Sequence, residues 1–300
     1  MFEYNGKKLT IMACSKCNIN CKHCYISYKG NRTPEELKEL VLKFRNKHKI
    51  EINGAEILTD PRYIESYPLA GQDFLMTNGL AIYQNPDILD YLIENGIKQI
   101  FMSYHFGIQK DISPITIMQL EENIKNIRSK NLKLKLYATV TSKNFKLIHD
   151  VVNDAIKYGA MSVRFTNYIK QGNALNLEDS NVLSDDQIEW FLNEVNKERN
   201  LYEQDFMDIE RCGSFGPGKS QKFNCYAVTN NIVLTPDNNI YPCIFLAKPG
   251  YEVGYFDGEK ILINPNAYEK NDGKECITKE HCNRNNVRIL ERKFGKKIWK

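Results

Sequence analysis

Three cysteines near the amino terminus have a spacing that suits an iron-sulfur cluster. Cys17, Cys21 and Cys24 form the pattern C-x3-C-x2-C, and three thiolates at this spacing can ligate three irons of a 4Fe-4S cluster. The fourth iron is then open to bind and activate a further molecule. Because Cys14 offers a fourth thiolate, a four-cysteine zinc site and a ferredoxin-like electron-transfer cluster are the alternatives. We favour the open iron, since only three residues separate the two cysteine pairs and a long β/α scaffold surrounds the loop.

The elements that must position this loop alternate between strands and helices. Such an alternation predicts an α/β fold with parallel strands and right-handed crossovers, either a doubly wound sheet or a partial or full barrel. In both, ligands sit at the carboxyl ends of the strands. We predict strands at residues 9–13, 50–53, 74–77, 97–103, 132–141 and 161–166, and helices at residues 34–49, 87–94, 114–130, 146–158 and 185–198.

The composition limits the classes of protein to which the chain can belong. Of its 300 residues, 41 are basic and 37 acidic, and this near balance argues against nucleic-acid binding as the main activity. No apolar run is long enough for a membrane span, and the first residues lack the apolar core of a secretion signal, so we expect a cytoplasmic protein. Its nine cysteines are an odd number in a reducing compartment, which favours metal or cluster ligation over disulfides.

Across residues 9–175 the sequence resembles the radical S-adenosylmethionine (SAM) superfamily, and the cysteine motif carries the resemblance. It implies a partial (β/α)6 barrel of the TIM type over residues 1–200, with Cys17, Cys21 and Cys24 as cluster ligands and His23 at a usually aromatic position. The open iron would bind SAM, and an electron supplied by a flavodoxin or ferredoxin would split SAM into methionine and a 5′-deoxyadenosyl radical. The chain would then be an enzyme that removes a hydrogen atom from its substrate.

Several further residues resemble the SAM-binding positions of that superfamily. Gly54-Ala55-Glu56 resembles the Gly-Gly-Glu element that contacts the SAM amino group, with alanine in place of the second glycine. The other positions that resemble the lining of the SAM pocket are Thr77-Asn78-Gly79, Ser103, Arg164 and Gly172-Asn173-Ala174.

The carboxyl-terminal part, residues 201–300, holds a second cysteine pattern in a small domain of hairpin and helix. Cys225 and Cys243 flank a predicted hairpin at residues 232–242, in which Asn238 takes the left-handed turn position. This spacing resembles the opening of the twitch and SPASM extensions of some radical SAM enzymes, so we expect one auxiliary 4Fe-4S cluster. Zinc or no metal is the alternative. The predicted ligands are Cys225, Cys243, Cys276 and Cys282, with His281 as a substitute.

Two cysteines fall outside both patterns. Cys14 precedes the cluster loop, and we expect it to be packed rather than functional. Cys212 opens a glycine-rich loop; its thiol could donate a hydrogen atom to a substrate radical, as in radical SAM epimerases, or be a spare cysteine in a linker. Residues 213–220 match the phosphate-loop pattern, but they follow the polar residues 208–211 rather than a buried strand, so we do not expect nucleotide binding.

Three functions follow from these patterns. The twitch and SPASM resemblance favours an enzyme that modifies a ribosomally synthesised peptide by crosslinking or epimerisation. The second is a dehydrogenase or epimerase of a small sugar or aminocyclitol, and the third, from another class, is a non-catalytic cysteine-rich metal-binding protein. The sequence leaves open which of Glu56, Tyr104 and His105 assists the reaction as acid or base, since each follows a predicted strand.

Overall fold

The structure of the chain is a computed structural model that describes residues 1–202, 208–211 and 231–264. The strands, in chain order, are β1 Phe2–Glu3, β2 Lys8–Met12, β3 Lys49–Asn53, β4 Phe74–Thr77, β5 Gln99–Ser103, β6 Lys133–Val140, β7 Ser162–Asn167, β8 Asp208–Arg211, β9 Asn231–Leu234, β10 Asn239–Tyr241, β11 Gly254–Phe256 and β12 Ile261–Ile263. The helices are α1 Pro34–Phe44, α2 Tyr67–Ala70, α3 Leu80–Gln84, α4 Ile88–Glu94, α5 Gln109–Ile112, α6 Ile117–Ser129, α7 Ile148–Lys157 and α8 Asp185–Tyr202.

These elements fall into two compact units. This division differs from the predicted one, in which a barrel over residues 1–200 is followed by an auxiliary cluster domain over residues 201–300. The predicted auxiliary cluster domain stays a prediction. Of the described residues, unit 1 comprises 1–17, 26–72 and 231–264, and unit 2 comprises 18–25, 73–202 and 208–211.

Unit 1 is built on a mixed sheet with the strand order β1-β12-β11-β10-β9-β2-β3. Strand β2 pairs in parallel with β3 and β9, and the other pairs are antiparallel. The predicted hairpin is confirmed as β9 and β10, and Asn238 has a φ of 64°, the left-handed conformation expected at its position. The hairpin contributes to the core of this unit, because Val233 and Tyr241 belong to a buried cluster with Met12, Tyr28 and Ala247.

Unit 2 is built on a fully parallel sheet with the order β4-β5-β6-β7-β8. Together with β2 and β3 of unit 1, its strands β4 to β7 confirm all six predicted strands. Residues 208–211, for which the sequence predicted no strand, form β8 beside β7. Strand β8 has four residues, and so short a segment gives too few alternating positions for a hydrophobic pattern to be recognised.

The two faces of the unit 2 sheet differ in polarity. Val163 and Phe165 lie on one face, are buried, and Phe165 packs edge-on against Phe191 of α8 with ring centroids 5.3 Å apart. Because successive strand residues point to opposite faces, Arg164 lies on the other face. The first face holds the apolar core against the helices, so the second is the one that can offer polar side chains to a ligand.

Several helix boundaries differ from the prediction, those of α1 and α6 among them. Helix α1 begins as expected, with Thr33 and Glu36 forming a capping box, but it ends at Phe44 instead of residue 49. The chain turns there, and Lys49 already pairs with β2. Helix α6 begins at Ile117, after a second capping box at Thr116, rather than at residue 114. None of the helices in the described residues is long and apolar enough to cross a membrane.

A side chain pairs with the edge of β3, the last strand of the unit 1 sheet. The Gln72 amide nitrogen donates to the Ile52 carbonyl at 3.1 Å, and the Ile52 N–H donates to the Gln72 amide oxygen at 2.8 Å. Gln72 therefore satisfies both backbone groups as a neighbouring strand would.

We expect Gln72→Leu to lower the free energy of unfolding by about 2–3 kcal/mol, because two buried backbone groups lose their partners. Urea denaturation followed by circular dichroism measures the change. Gln84→Leu, an exposed glutamine at the end of α3, is the matched control and should change stability by less than about 0.5 kcal/mol. Equal effects of the two substitutions would contradict the bridging role of Gln72.

Candidate functional site

In unit 2 the cysteine-bearing segment, residues 18–25, is held at the carboxyl ends of the parallel strands. It contains neither helix nor strand, so its polar groups need partners from elsewhere. Asn78, directly after β4, donates from its amide nitrogen to the Asn18 side-chain oxygen at 2.8 Å. Asn173, after β7, donates to the Asn20 side-chain oxygen at 2.7 Å and to the Cys21 carbonyl at 3.1 Å. The predicted strand-end positions are therefore in contact with the cysteine segment.

Cys21 and Cys24 stand at the two ends of a single anchored turn. The Cys24 N–H donates to the Cys21 carbonyl at 3.3 Å, which closes the turn. The Ile112 carbonyl at the end of α5 accepts from the Lys22 N–H at 2.9 Å, and the Cys24 carbonyl accepts from the Ala174 N–H at 3.3 Å. Both cysteines are half-buried. The turn thus presents two thiols from a backbone that is fixed on both sides.

His23 lies inside this turn and packs against His105. Its Nδ1 lies 3.1 Å from the Ile112 carbonyl oxygen, which can only accept, so Nδ1 carries the proton. The two imidazole rings meet edge to face with centroids 4.4 Å apart. Burial lowers the pKa of His105 well below its usual range, with a further contribution from His23, and burial also lowers the pKa of His23. Both rings are therefore neutral at pH 7.

The Gly54-Ala55-Glu56 element of unit 1 directly follows β3, as predicted. The Glu56 carboxylate is buried, with 1% of the residue exposed, and accepts from the Leu58 N–H at 3.1 Å as the cap of a short 3-10 turn. The Ala55 N–H donates to the Cys14 carbonyl at 2.9 Å. The structure therefore gives the Glu56 side chain a structural partner, and contact of this element with SAM stays a prediction.

Cys14 is packed, which confirms the expectation for this residue. It is 1% exposed, and its Sγ lies 3.6 Å from the Glu56 carbonyl oxygen. Burial raises the pKa of the Cys14 thiol, which favours its protonated form. A Cβ on Gly54 would lie 2.9 Å from this sulfur, so only glycine fits there. Cys17, in the same unit, is exposed.

The turn after β4 is rigid because a buried asparagine holds it. The Asn123 amide nitrogen, on α6, donates to the Gly79 carbonyl at 2.9 Å, and the Gly79 N–H donates to the Thr77 hydroxyl at 3.1 Å. Gly79 has a φ of 85°, and a Cβ there would lie 2.5 Å from the Asn123 amide nitrogen. Asn123 was not anticipated from the sequence, since a polar residue in a helix gives no signal of the loop that it supports.

Strand register separates the predicted SAM-pocket residues. Ser103 pairs with Tyr137, and Tyr137 pairs with Arg164, so these three side chains form one row on the polar face of the sheet. The Arg164 guanidinium carbon lies 5.7 Å from the centre of the Phe101 ring on the same face. Thr77 pairs with Met102 and therefore emerges on the opposite, helix-facing side. The structure brings Ser103 and Arg164 together but not Thr77.

Tyr104 also faces away from the polar side of the sheet. Its hydroxyl donates to the Asp154 carboxylate on α7 at 2.5 Å, and burial raises the pKa of the Tyr104 phenol well above its usual range. Of the three candidate acids or bases, Glu56 and Tyr104 have structural partners, and His105 is directed at the cysteine turn.

The donor set fits a cluster in its chemistry, because thiolates are the ligands of iron-sulfur clusters and two of the three lie on one fixed turn. In residues 1–202, 208–211 and 231–264, no group of three or more His, Cys, Asp and Glu side chains is arranged to hold a metal ion. Ligation by Cys17, Cys21 and Cys24 therefore stays a prediction from the motif.

Most of the second cysteine pattern lies outside the described residues. Cys243 is described: it is half-buried and lies two residues after the end of β10 in unit 1. The predicted hydrogen donor Cys212 and the phosphate-loop-like segment 213–220 lie outside the described residues. So do the remaining predicted auxiliary ligands, Cys225, Cys276 and Cys282, and the substitute His281.

Comparison with known proteins gives few relatives by sequence and clear ones by structure. No family model matches the chain. Uncharacterized protein MJ0907 of Methanocaldococcus jannaschii is 24% identical over 177 residues, 53% of this chain and 62% of that protein. The chain thus matches less than two thirds of this relative's length.

Two solved structures share the architecture. Streptococcus suis SuiB bound to precursor peptide SuiA aligns with a TM-score of 0.62 and 13% identity, over 81% of this chain and 61% of SuiB. Native anSMEcpe with bound AdoMet and Cp18Cys peptide aligns with a TM-score of 0.64 and 17% identity, over 90% of this chain and 81% of anSMEcpe. Both are radical SAM enzymes. The chain has the radical SAM fold. The predicted fold class, a partial (β/α)6 barrel of the TIM type, is thereby confirmed.

The radical SAM fold shows which site residues could be predicted from the sequence and which could not. The strand-end motifs were found because they follow recognisable strands. Asn18 and Asn20 were missed as contact residues, although two asparagines between cysteines are a signal that side-chain amides hold the loop. The carbonyl of Ile112 could not be found, because any residue type supplies a carbonyl.

We expect Gly79→Ala to destabilise unit 2 by roughly 3 kcal/mol or more, since it adds left-handed strain and displaces the buried Asn123 amide. Gly71→Ala is the matched control: Gly71 has a φ of 67°, and a Cβ there would meet no atom within 4 Å. It should cost only the strain, about 1–2 kcal/mol. Urea denaturation compares the two variants, and equal costs would show that the Asn123 contact contributes nothing.

Proposed function

We propose that the chain is a radical SAM enzyme that acts on a peptide. The observation that carries this proposal is the cysteine segment, residues 18–25, held by residues that follow β4, β5 and β7. Ligands of parallel α/β folds bind at this edge of the sheet, and the C-x3-C-x2-C motif supplies the thiolates that a cluster needs. The fold shared with SuiB and anSMEcpe supports the same reading.

Cys17, Cys21 and Cys24 would hold a 4Fe-4S cluster, which when bound and reduced supplies the electron that splits SAM and releases a 5′-deoxyadenosyl radical. The other residues of the site would position the cysteine segment. Asn78 and Asn173 hold the cysteine segment from two strand ends. A segment fixed in this way suits radical chemistry, because the radical must be directed at one hydrogen atom and kept from water.

The polar face of the unit 2 sheet offers side chains for SAM or substrate. Ser103 and Arg164 lie there in one row with Tyr137. We propose that Arg164 and Ser103 bind polar groups of SAM, together with Asn78 and the backbone of the Gly54-Ala55-Glu56 element. Thr77 is left out of this set, since its side chain emerges on the opposite face.

A peptide substrate is proposed by similarity. SuiB was solved with the precursor peptide SuiA, and anSMEcpe with the Cp18Cys peptide. Crosslinking or epimerisation is the change that we propose for this chain, with Cys212 as hydrogen donor in the second case. An auxiliary 4Fe-4S cluster on Cys225, Cys243, Cys276 and Cys282, a flavodoxin or ferredoxin as electron donor and a cytoplasmic location belong to the same proposal.

Anaerobic reconstitution with iron and sulfide, followed by reduction in the presence of SAM, should yield 5′-deoxyadenosine from the native chain. The variant with Cys17, Cys21 and Cys24 all changed to Ala should yield none, because the cluster that reduces SAM has no ligands. Chromatography with mass detection measures the product. Zinc in the purified protein and no 5′-deoxyadenosine would instead support a metal-binding protein.

The same triple variant tests the auxiliary cluster. Iron that it retains after reconstitution should fall to background when Cys243→Ala is added, because one of the four proposed ligands is then missing. No retained iron in the triple variant would remove the auxiliary cluster from the proposal and leave the SAM-cleaving cluster intact.

Hydrogen abstraction from a peptide should move label from substrate to cofactor. If the gene has a short reading frame beside it, the perdeuterated synthetic peptide of that sequence should give deuterium-containing 5′-deoxyadenosine on mass analysis. The unlabelled peptide is the control. Label transfer from a deuterated sugar or aminocyclitol, with none from the peptide, would replace the peptide by a small-molecule substrate.

A further inference from the structure

We propose that His105 is a positioning residue that fixes the Cys21–Cys24 turn through the ring of His23. The proposal rests on the proposed function in one respect, namely that this turn carries two of the three cluster ligands. It goes beyond the earlier assignment of His105, which left it as one of three candidate acids or bases.

His105 has a single orientation because three neighbouring segments hold it. The residue is 3% exposed at the end of β5. Its Nδ1 accepts from the Thr139 N–H of β6 at 3.2 Å, and the backbone N–H of His105 donates to the Gln109 side-chain oxygen at 2.8 Å. Gln109 in turn donates to the Ile115 carbonyl at 2.8 Å, which ties α5 to the loop that follows it. The ring is therefore part of the rigid scaffold.

His23 transmits this rigidity to the cysteines. Its Nδ1 bonds to the Ile112 carbonyl. Its ring packs against the His105 ring edge to face, with the centroids 4.4 Å apart and an angle of 69° between the two ring planes. The same Ile112 carbonyl accepts from the Lys22 N–H. Two consecutive residues between the cysteines are thus held at one point, and the His105 ring limits rotation about it.

The imidazoles of buried His105 and half-buried His23 both use their Nδ1 atoms. Burying part of a polar ring costs free energy unless its nitrogens have hydrogen-bond partners. Here each Nδ1 has a backbone partner that defines the ring plane. This is the arrangement expected of groups that hold a functional turn within a fraction of an ångström.

The test separates the two roles of His105 by amide hydrogen exchange of the full-length chain, read on peptides covering residues 18–25. In His105→Asn the side-chain oxygen can still accept from Thr139, but the ring contact with His23 is gone. In His105→Phe the ring contact stays and the acceptor is lost. We expect exchange in residues 18–25 to be about tenfold faster in His105→Asn and within about twofold of native in His105→Phe.

The matched control is His48→Phe in unit 1. His48 is also buried, its Nδ1 lies 2.7 Å from the Gly6 carbonyl oxygen, and the rings of Tyr4 and Phe44 pack against it. This variant should leave exchange in residues 18–25 unchanged. Unchanged exchange in His105→Asn, or an equal acceleration in His48→Phe, would overturn the positioning role.

A second variant keeps the test valid if His105→Asn does not fold. His23→Ala removes the same contact from the loop side, together with the Nδ1 bond to the Ile112 carbonyl, and should accelerate exchange at least as much. Where both variants fold, the double variant should exchange no faster than His23→Ala alone, because the two residues act through one contact. Additive acceleration would overturn the proposal.

Iron release to a chelator after reconstitution distinguishes failure of this proposal from failure of the proposed function. We expect iron to leave His105→Asn about tenfold faster than the native chain, with His48→Phe as native. A native chain that takes up no cluster refutes the proposed function, and the exchange result then stands by itself. A native cluster with release and exchange unchanged in His105→Asn refutes only the positioning role.

Discussion

The parallel direction of the unit 2 strands is the constraint on which the candidate site depends. Because β4 to β7 run the same way, the loops that leave them emerge at one edge of the sheet. Asn78, His105 and Asn173 come from three of these loops, far apart in sequence, and all contact residues 18–25. A segment without helix or strand has unsatisfied backbone groups, and it becomes ordered here because several strand ends supply partners at once.

Close approach of the backbone is the second feature that the site requires. The turns after β3 and β4 each contain a glycine at a position where a Cβ would collide, with the Cys14 sulfur at Gly54 and with the Asn123 amide at Gly79. The colliding groups are buried and belong to the core, so they cannot move aside at low cost. Glycine is therefore required at these turns by packing, before any role in cofactor binding is considered.

Neutral groups supply several of the contacts that hold the cysteine segment. Its anchors are side-chain amides, backbone N–H groups and two imidazoles whose lowered pKa values keep them uncharged. Neutral hydrogen bonds depend on geometry and are little screened by salt, in contrast to exposed ion pairs. His23 and His105 therefore add no positive charge next to Cys21 and Cys24. They act on the cysteine turn through hydrogen bonds and ring packing.

The sequence by itself determined the features that depend on neighbouring residues: the cysteine spacing, the helix start at Pro34, the hairpin turn at Asn238 and the alternation of strands with helices. It missed β8, which is too short to show a pattern. Only the tertiary structure decided which side chains meet. Strand register places Ser103 and Arg164 on one face and Thr77 on the other, and a shift of one residue would reverse this. The contact of His23 with His105 likewise joins residues whose distance is set by how two loops pack, which no local pattern encodes.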